Sequence, residues 1–517
     1  MTIIRESMLF RLFMALVSLW NGSALCRAGR ALAVSWQSSA LGGFFRRCVP
    51  VAADSLLWRE GTVAKSWQGS LACRGFAALV NLPCTFARWL YAKGKGLWDG
   101  SLLFRAFSAL GGHSEVLLGL FLLVMLLVPH DYWNNLYAVA GAVVLIAFFA
   151  LGSATRPRQR LEAERLGPYY LLFLAFVCYG LICSLIPTLS VRYFLFHMGC
   201  FLVVLLTVSA VNNARQLQRL VVLPVAGVVV ASLYGCYQGY IGVEVVASQQ
   251  DMILNAGMPG RIYSFFDNPN NFAELLAMLI PFLLALFLNA RGWRGKVLSA
   301  LSLVPCLVAI GMTYSRSSWI GLAIAVAVFL VLLDRRFLVA FLVVGLCAIP
   351  FLPDTIVNRI LTIGNMNDSS LRYRFAIYEA TGVLLRDRWF TGVGVDTDVL
   401  QRAFEIYPPM YDGYHPLHTH NNYLEMWCEL GLLGGVSYIG ALLYQLKRGV
   451  KGFFGRGDRR VKNLLAAAVG AFVGILVVSV AEYTWFYPRN MFLYWFLFGL
   501  IAACLKLVGS GAEKGQA

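Results

Sequence analysis

The sequence has few charged residues. Only 13% of its 517 residues are Asp, Glu, Lys or Arg, about half of the share that is typical of a soluble domain. The hydrophobic share is 59% and the mean hydropathy is +0.68. This shortage of charge excludes an ordinary soluble domain and indicates a polytopic membrane protein.

The chain also lacks any C-x-x-C pair, although it has 12 cysteines. Most of them lie in apolar runs, where cysteine packs as a small hydrophobe. We therefore predict neither a disulfide framework nor a cysteine metal site. The N-terminal apolar stretches are short, broken by arginine and without a small-residue cleavage site, so we expect no secretory signal peptide.

Acidic residues are the scarcer of the two charged classes, with 26 Asp and Glu against 43 Lys and Arg and a net charge of +17. In a soluble protein this excess would suggest nucleic acid as a partner. Here the basic residues stand in short loops between apolar runs. We expect them to fix the membrane orientation and to contact anionic lipids, with no nucleic acid as a partner.

Residues 1–112 contain no clean apolar stretch of the roughly 20 residues that a bilayer requires. Runs such as MLFRLFMALVSLW and LLFRAFSAL mix Leu, Phe and Trp with spaced arginines, and the segment has 13 basic and four acidic residues. We interpret it as a basic amphipathic extension on the cytoplasmic side. A degenerate helical hairpin is the alternative.

From residue 113 the sequence changes to long apolar runs separated by short polar loops. We predict an all-α polytopic membrane domain over residues 113–510, with about 12 transmembrane helices. The helices are expected near 114–129, 135–152, 168–188, 190–211, 219–241, 272–290, 296–313, 317–333, 336–353, 423–446, 463–482 and 489–507.

Four loops rich in Lys and Arg indicate the orientation, and counting helices between them puts all four on one side. The positive-inside rule makes that side cytoplasmic. The loops are 156–165, 290–296, 334–336 and 447–462. Two long loops, about 242–271 and about 354–422, then face outward.

The second outer loop is the longest insertion in the chain, and a loop of that length is usually functional or disordered. Ser369 and Ser370 are placed to cap a helix over LRYRFAIYEATGVLL, and FTGVGVD (390–396) predicts a turn. We therefore expect a large extracytoplasmic loop that carries short helices.

Four arginines fall on this outer side. Arg316 stands in TYSRSSW at the start of a membrane helix, where backbone N–H groups and the helix dipole favour an anion; extension to the membrane interface is the alternative. Arg372 and Arg374 are two residues apart on a helix, so at most one points into a shared site. Arg261 precedes FFDNPNN, whose Asp and Asn residues suit helix capping.

Three histidines, His415, His418 and His420, stand in YHPLHTH. The H-x-x-H-x-H spacing is not that of a helical metal site, so we predict no metal and no cofactor. His420 precedes a helix expected to begin near residue 421, and a helix N-terminus favours neutral imidazole. Such an imidazole accepts a proton from a hydroxyl nucleophile. Asn421 and Glu425 are candidate accessory residues, as are His418 and Arg372.

Several arginines and one neutral histidine suit displacement of a diphosphate leaving group by an alcohol. Arginine is always charged and binds phosphate through two hydrogen bonds at once. Arginines that stabilise the developing charge can replace a metal ion in that role.

At these residues the sequence resembles the superfamily of bacterial O-antigen ligases and O-antigen polymerases, which are polytopic membrane glycosyltransferases. The similarity runs from residue 115 to residue 507. His420 and Asn421, followed after nine residues by Gly431 and then by Gly434, fit the ligase signature.

Three further segments carry the resemblance. TYSRSSW and SSLRYRFAIYE resemble ligase segments with essential arginines, which correspond here to Arg316 and Arg374. GRIYSFFDNPNN resembles a third arginine segment more loosely, at Arg261. The resemblance implies metal-independent, inverting transfer of a glycan from undecaprenyl diphosphate to a glycan or lipid acceptor, outside the cytoplasmic membrane. It also implies that the arginines bind the diphosphate and that His420 activates the acceptor hydroxyl.

The N-terminal 112 residues depart from the usual ligase pattern. Similar extensions occur in a branch of the superfamily labelled as inorganic-carbon transporters, so a bicarbonate transporter stays open as an alternative, as does a non-catalytic protein that binds or flips lipid-linked glycans. Transport needs polar or broken helices near the bilayer midplane. Few ionisable residues stand there, which favours the enzyme, whether ligase or polymerase.

Overall fold

The computed structural model describes residues 66–246, 257–365 and 368–513. The chain divides into two units, residues 1–70 and residues 71–517, and the account below concerns the second. Of the predicted N-terminal extension, residues 1–65 lie outside the described residues.

The described part of the chain is α-helical and contains no strand. This confirms the all-α polytopic fold, in which apolar segments satisfy their own backbone hydrogen bonds. The helices are α1 (Leu71–Val80), α2 (Leu82–Lys93), α3 (Lys95–Gly100), α4 (Leu102–Gly111), α5 (Ser114–Leu127), α6 (Leu136–Ala154), α7 (Pro168–Ile182), α8 (Pro187–Ala210), α9 (Ala214–Ile241), α10 (Pro269–Asn289), α11 (Trp293–Met312), α12 (Arg316–Leu333), α13 (Arg336–Ala348), α14 (Asp354–Leu361), α15 (Ser369–Arg388), α16 (Thr397–Phe404), α17 (Asn422–Phe454), α18 (Arg459–Val478) and α19 (Pro488–Glu513).

Among the described residues, nine helices are long and apolar enough to cross a membrane, namely α6, α8, α9, α10, α11, α12, α17, α18 and α19. Helices α4 and α5 pass the same test together but are bent by 78° at the break between them. Helices α7 and α13 are apolar but shorter. Every apolar segment predicted from the sequence is therefore helical, and nine or ten of them reach the length of a span.

The bundle is organised around α18 and α19, whose apolar windows are 78% and 83% buried, against 17% for α11. Helix α18 packs against α12 and α10, and α19 packs against α8. Glycines bring α18 and α12 together, since a Cβ on Gly474 would lie 2.5 Å from the carbonyl oxygen of Gly321. Small residues at such crossings are typical of membrane helices.

The predicted basic loops meet at one end of the bundle. Arg448 donates to the carbonyl oxygen of Arg165 at 3.3 Å, and Asn289 donates to that of Arg460 at 3.0 Å. Helix α10 has Asn289 at its last turn and Pro269 at its first. The polar groups around Pro269 therefore lie at the opposite end from these loops.

Helices α2 and α4 pack against α6 at the end with the basic loops. Arg88 donates to the carbonyl oxygen of Ser153 at 3.3 Å, and the Gln159 amide donates to that of Gly111 at 2.9 Å. The described part of the N-terminal extension thus lies beside the predicted cytoplasmic loops. Its membrane side and its boundary at residue 112 stay predictions.

The long segment between α13 and α17 contains three helices: α14 and α16 have eight residues each, whereas α15 has 20. One prediction here is wrong in detail, because neither Ser369 nor Ser370 caps α15. Asp368 is the cap, and its carboxylate accepts the backbone N–H groups of Ser370 and Leu371 at 3.1 and 3.3 Å. Ser369 is already the first helical residue, and a cap must precede that position.

Candidate functional site

The N-terminus of α17 holds the predicted histidine. Asn421 caps this helix, and its side-chain oxygen accepts the backbone N–H groups of Tyr423 and Leu424 at 2.9 and 3.1 Å. His420 directly precedes the cap and has a φ of 49°. This left-handed region is uncommon for a residue other than glycine, and such strain concentrates at functional sites.

His420 faces a glutamate from another part of the chain. Its Nδ1 lies 3.4 Å from Oε2 of Glu482, which belongs to the segment between α18 and α19. The other oxygen, Oε1, accepts from Nη2 of Arg374 at 2.5 Å. The Ser317 hydroxyl and the Asn270 amide lie 3.4 Å from the same oxygen. Glu482 therefore joins four separate segments of the chain at one carboxylate.

The charge of Glu482 follows from these contacts. Burial raises the pKa of its carboxyl group, but Arg374 and then His420 outweigh burial and lower the pKa to about 2. The carboxylate is therefore ionised at neutral pH. A carboxylate beside Nδ1 favours the tautomer with its proton on Nδ1, which leaves Nε2 as a proton acceptor.

His418, a candidate accessory residue whose function the sequence did not specify, supports His420. Its Nδ1 accepts the backbone N–H of His420 at 3.2 Å, and the two ring centroids are 4.2 Å apart. Burial lowers the pKa of His418 well below its usual range, and His420 lowers it further.

Glu425 supports the same loop, because its carboxylate accepts the backbone N–H and the hydroxyl of Thr419 at 2.7 Å each.

Arg316 opens α12 and faces Asp368, the cap of α15. Its Nη1 and Nη2 lie 2.9 and 3.0 Å from the two carboxylate oxygens. It also donates to the carbonyl oxygen of Thr362 and to the hydroxyl of Ser370, both at 2.9 Å. Burial raises the pKa of Asp368, but hydrogen bonds from Arg316 and Ser370 outweigh it, so the pKa is lowered overall.

Arg261 is buried beside this pair. Its Nε donates to the carbonyl oxygen of Thr313 at 2.7 Å, and its Nη2 donates to the side chain of Asn270 at 2.5 Å. Burial is the largest cause that lowers the pKa of Arg261, and the charges of Arg359, Arg316 and Arg374 add to it. Glu482 opposes them, and the net pKa is about 9. Three other guanidinium groups thus lie close enough to Arg261 to repel its charge.

The structure brings Arg261, Arg316, Arg374 and His420 together at one end of the bundle. Arg372, a candidate accessory residue, is exposed, and its side chain makes no hydrogen bond or ion pair with this network. It is two residues from Arg374 on α15 and therefore points another way. In the described part of the chain, no three His, Cys, Asp or Glu side chains are grouped as a metal site requires.

Sequence reasoning missed Glu482, Asp368 and Arg359. A signal for Glu482 was present, since it is the single acidic residue between Asp458 and Glu513. An ionisable residue within such an apolar region is a functional candidate by default. Asp368 and Arg359 lie in an ordinary polar loop and gave no comparable signal.

The first signature glycine, Gly431, interrupts α17 with a φ of 71° and a ψ of −179°. The segment 389–395 fills the interruption, with Leu432 N–H donating to the Trp389 carbonyl at 2.9 Å and Val393 N–H to the Cys428 carbonyl at 2.8 Å. A Cβ at Gly431 would lie 2.0 Å from the carbonyl oxygen of Phe390. Glycine is therefore required here by backbone packing.

In a comparison with known families, residues 301–439 match the model of the family described as O-Antigen ligase. The matched segment begins within α11 and ends within α17, and it contains Arg316, Arg374 and His420. Arg261 and Glu482 lie outside it. The comparison with curated proteins returned no match. The family match confirms the resemblance to the O-antigen ligase and polymerase superfamily that the sequence indicated.

Proposed function

We propose that this chain, which carries an O-antigen ligase domain, transfers a glycan from an undecaprenyl-diphosphate donor to an acceptor hydroxyl in cell-surface polysaccharide assembly. Glycan transfer of the ligase or polymerase type follows from the family match over residues 301–439. The donor, the inverting course and the independence from metal are our proposal. The network at Glu482, which joins His420 to the arginines, is the observation that carries it.

In this proposal His420 is the base. Its Nδ1 side faces Glu482 at 3.4 Å, so Nε2 is available to the acceptor hydroxyl. The side chain of His420 is 28% exposed, whereas that of Glu482 is 8% exposed. The histidine is therefore the member of the pair that a substrate reaches, and the carboxylate stabilises the imidazolium that forms.

The arginines are the proposed diphosphate site. Arg374 and Arg316 now face Glu482 and Asp368, and a phosphate takes the same two-point contact as a carboxylate. The lowered pKa of Arg261 reflects burial and three neighbouring guanidinium groups, and an added anion relieves this repulsion. Donor binding thus stabilises the cluster electrostatically.

The transfer step balances within these groups. The acceptor oxygen bonds to the anomeric carbon from the face opposite the diphosphate, and its proton moves to Nε2 of His420. The bond from the anomeric carbon to the phosphate oxygen breaks, and the diphosphate leaves with the electron pair, stabilised by arginine. Attack from the opposite face inverts the anomeric configuration.

We place the protein in the cytoplasmic membrane with the site on the outer face. The basic loops support this orientation, because they lie at the end of the bundle opposite to the site and the positive-inside rule makes them cytoplasmic. We propose that anionic lipids contact these loops and the extension over residues 1–112.

The test is transfer from lipid-linked glycan by the full-length protein in proteoliposomes. We expect His420→Ala and Arg316→Ala to abolish transfer while the protein remains inserted. His415→Ala is the matched control, because His415 lies on the same loop without contact to Glu482, and it should keep activity. Full activity in both site variants, or bicarbonate uptake that needs the same residues, would overturn the proposal.

A further inference from the structure

An open groove of about 870 Å³ lies close to His420. Separate parts of the chain line it, namely the connection from α5 to α6, the first turns of α8, the start of α16 and the segment before α19. Its volume falls within the roughly 300–1,000 Å³ of typical ligand sites. Tyr132, Trp133, Asn134, Tyr137, Arg192 and Asp398 are among the lining residues.

The groove adjoins the histidines through one aromatic ring. Phe486 lines the groove, and its ring centroid is 4.6 Å from that of His418. The His418 centroid is in turn 4.2 Å from that of His420. The ring centroids of Phe486 and His420 are therefore within about 9 Å of each other. A short oligosaccharide is long enough to bridge this distance.

The lining combines flat rings with fixed polar groups. Tyr132 and Tyr137 are 78% and 57% exposed, and the apolar face of a sugar ring packs on such side chains while the phenol hydroxyl bonds to its edge. Arg192 is held at 2.9 Å by both Asp396 and Asp398. Planar charged groups held in this way hydrogen-bond to sugar hydroxyls with defined geometry.

The groove differs from the arginine cluster in its charge, because it has acidic as well as basic side chains. Arg192 pairs with Asp396 and Asp398, and Asp131 also lines the groove. A surface of mixed charge with several aromatic rings suits a polyhydroxylated chain better than it suits a phosphate.

We propose that this groove binds the sugar units of the glycan substrate that lie away from the reacting bond, and so selects for glycan length. The inference rests on the proposed function, and it assigns a role to residues 131–137, 192 and 486, which lie outside the family match over residues 301–439. Exposed Tyr and Trp residues also form belts at membrane interfaces, and the experiment distinguishes the two roles.

The test compares Tyr132→Ala/Tyr137→Ala with the wild type in proteoliposomes. The donors are lipid-linked glycans from the native membrane, fractionated into the shortest and the longest chains. We expect a roughly fivefold to tenfold higher KM for the long donors and unchanged kinetics for the shortest, since each lost ring contact removes part of the binding energy. Both side chains are largely exposed, so the fold should survive.

Tyr240→Ala is the matched control, because Tyr240 is 89% exposed at the end of α9 but does not line the groove. Equal changes of KM in the two variants, or equal changes for short and long donors, would indicate that the tyrosines anchor the protein at the membrane interface. Either result would overturn the proposal that the groove binds glycan. Binding of the soluble oligosaccharides released from the donors is measured in parallel. If the wild type binds the oligosaccharides, the groove variant does not and neither transfers glycan, the groove is supported as a glycan site and the proposed transfer function is rejected.

Discussion

Replacing Glu482 by glutamine tests the proposed base most directly. The change keeps the size of the side chain and an acceptor oxygen but removes the negative charge. That charge faces Nδ1 of His420 at 3.4 Å and Nη2 of Arg374 at 2.5 Å. If the carboxylate stabilises the imidazolium formed during transfer, kcat should fall. KM for the donor should not rise, because Arg374 loses a competitor for phosphate.

The size of the effect follows from the distance. Two unit charges at this separation interact by about 4 to 5 kcal/mol at an effective dielectric constant of about 20. Water screens part of this, because the His420 side chain is 28% exposed. We therefore expect a loss of about 2 to 3 kcal/mol, which is a fall of roughly 30- to 150-fold in kcat.

The assay is single-turnover transfer from a lipid-linked donor by full-length protein in proteoliposomes. Glu405→Gln is the matched control, since Glu405 lies just after α16, forms an ion pair with Arg402 and is 42% exposed. It should leave kcat unchanged. A kcat for Glu482→Gln within threefold of the wild type would refute the role of the carboxylate.

The remaining predictions concern the supports of the site. His418→Phe keeps a ring beside His420 but removes the acceptor of its backbone N–H, so we expect about a tenfold lower kcat in the same assay, and an unchanged value would contradict this role. Gly431→Ala should destabilise the protein by at least about 1 to 3 kcal/mol, measured as thermal unfolding in detergent. Gly440 has open space around it, so Gly440→Ala should not destabilise the protein. Equal unfolding temperatures of the two variants would contradict the packing argument. The lowered pKa of Glu482 should contribute about 3 kcal/mol of stability that is fully present above pH 4.5 and is lost as the pH falls towards 2. Unfolding of the wild type and of Glu482→Gln as a function of pH measures this, and parallel curves would contradict it.

Much of the fold was predictable because apolar length and basic loops obey simple rules. Each predicted apolar segment is helical, and the helix carrying the histidine signature begins within one residue of the expected position, at Asn422. The bend between α4 and α5 was not predicted, since both pieces are apolar and no proline separates them. Spans such as α7 were also predicted longer than they are.

The candidate site was predictable in its arginines and histidine but not in its carboxylates. The resemblance to ligase segments, not the residue pattern, favoured Arg374 over Arg372, and Arg374 is the residue that contacts Glu482. Glu482 lies 62 residues from its partner His420, and no local periodicity joins them. Neither helix cap was predicted: Asn421, which caps α17, was a candidate accessory residue only, and Ser369 and Ser370 were expected where Asp368 caps α15.

The interruption of α17 at Gly431 also bears on how the chain tolerates change. Residues 389–395 donate backbone hydrogen bonds to the part of α17 before Gly431 and accept one from the part after it. A single insertion within residues 389–395 would therefore shift these bonds and separate the two halves of the helix. The stretch around Tyr411 and Gly413 is exposed, and a Cβ at Gly413 would meet nothing within 4 Å. Loops of that kind accept added sequence. An epitope tag or a fluorophore for reporting membrane sidedness therefore belongs at residues 411–413, where it leaves the helix and the histidines unchanged.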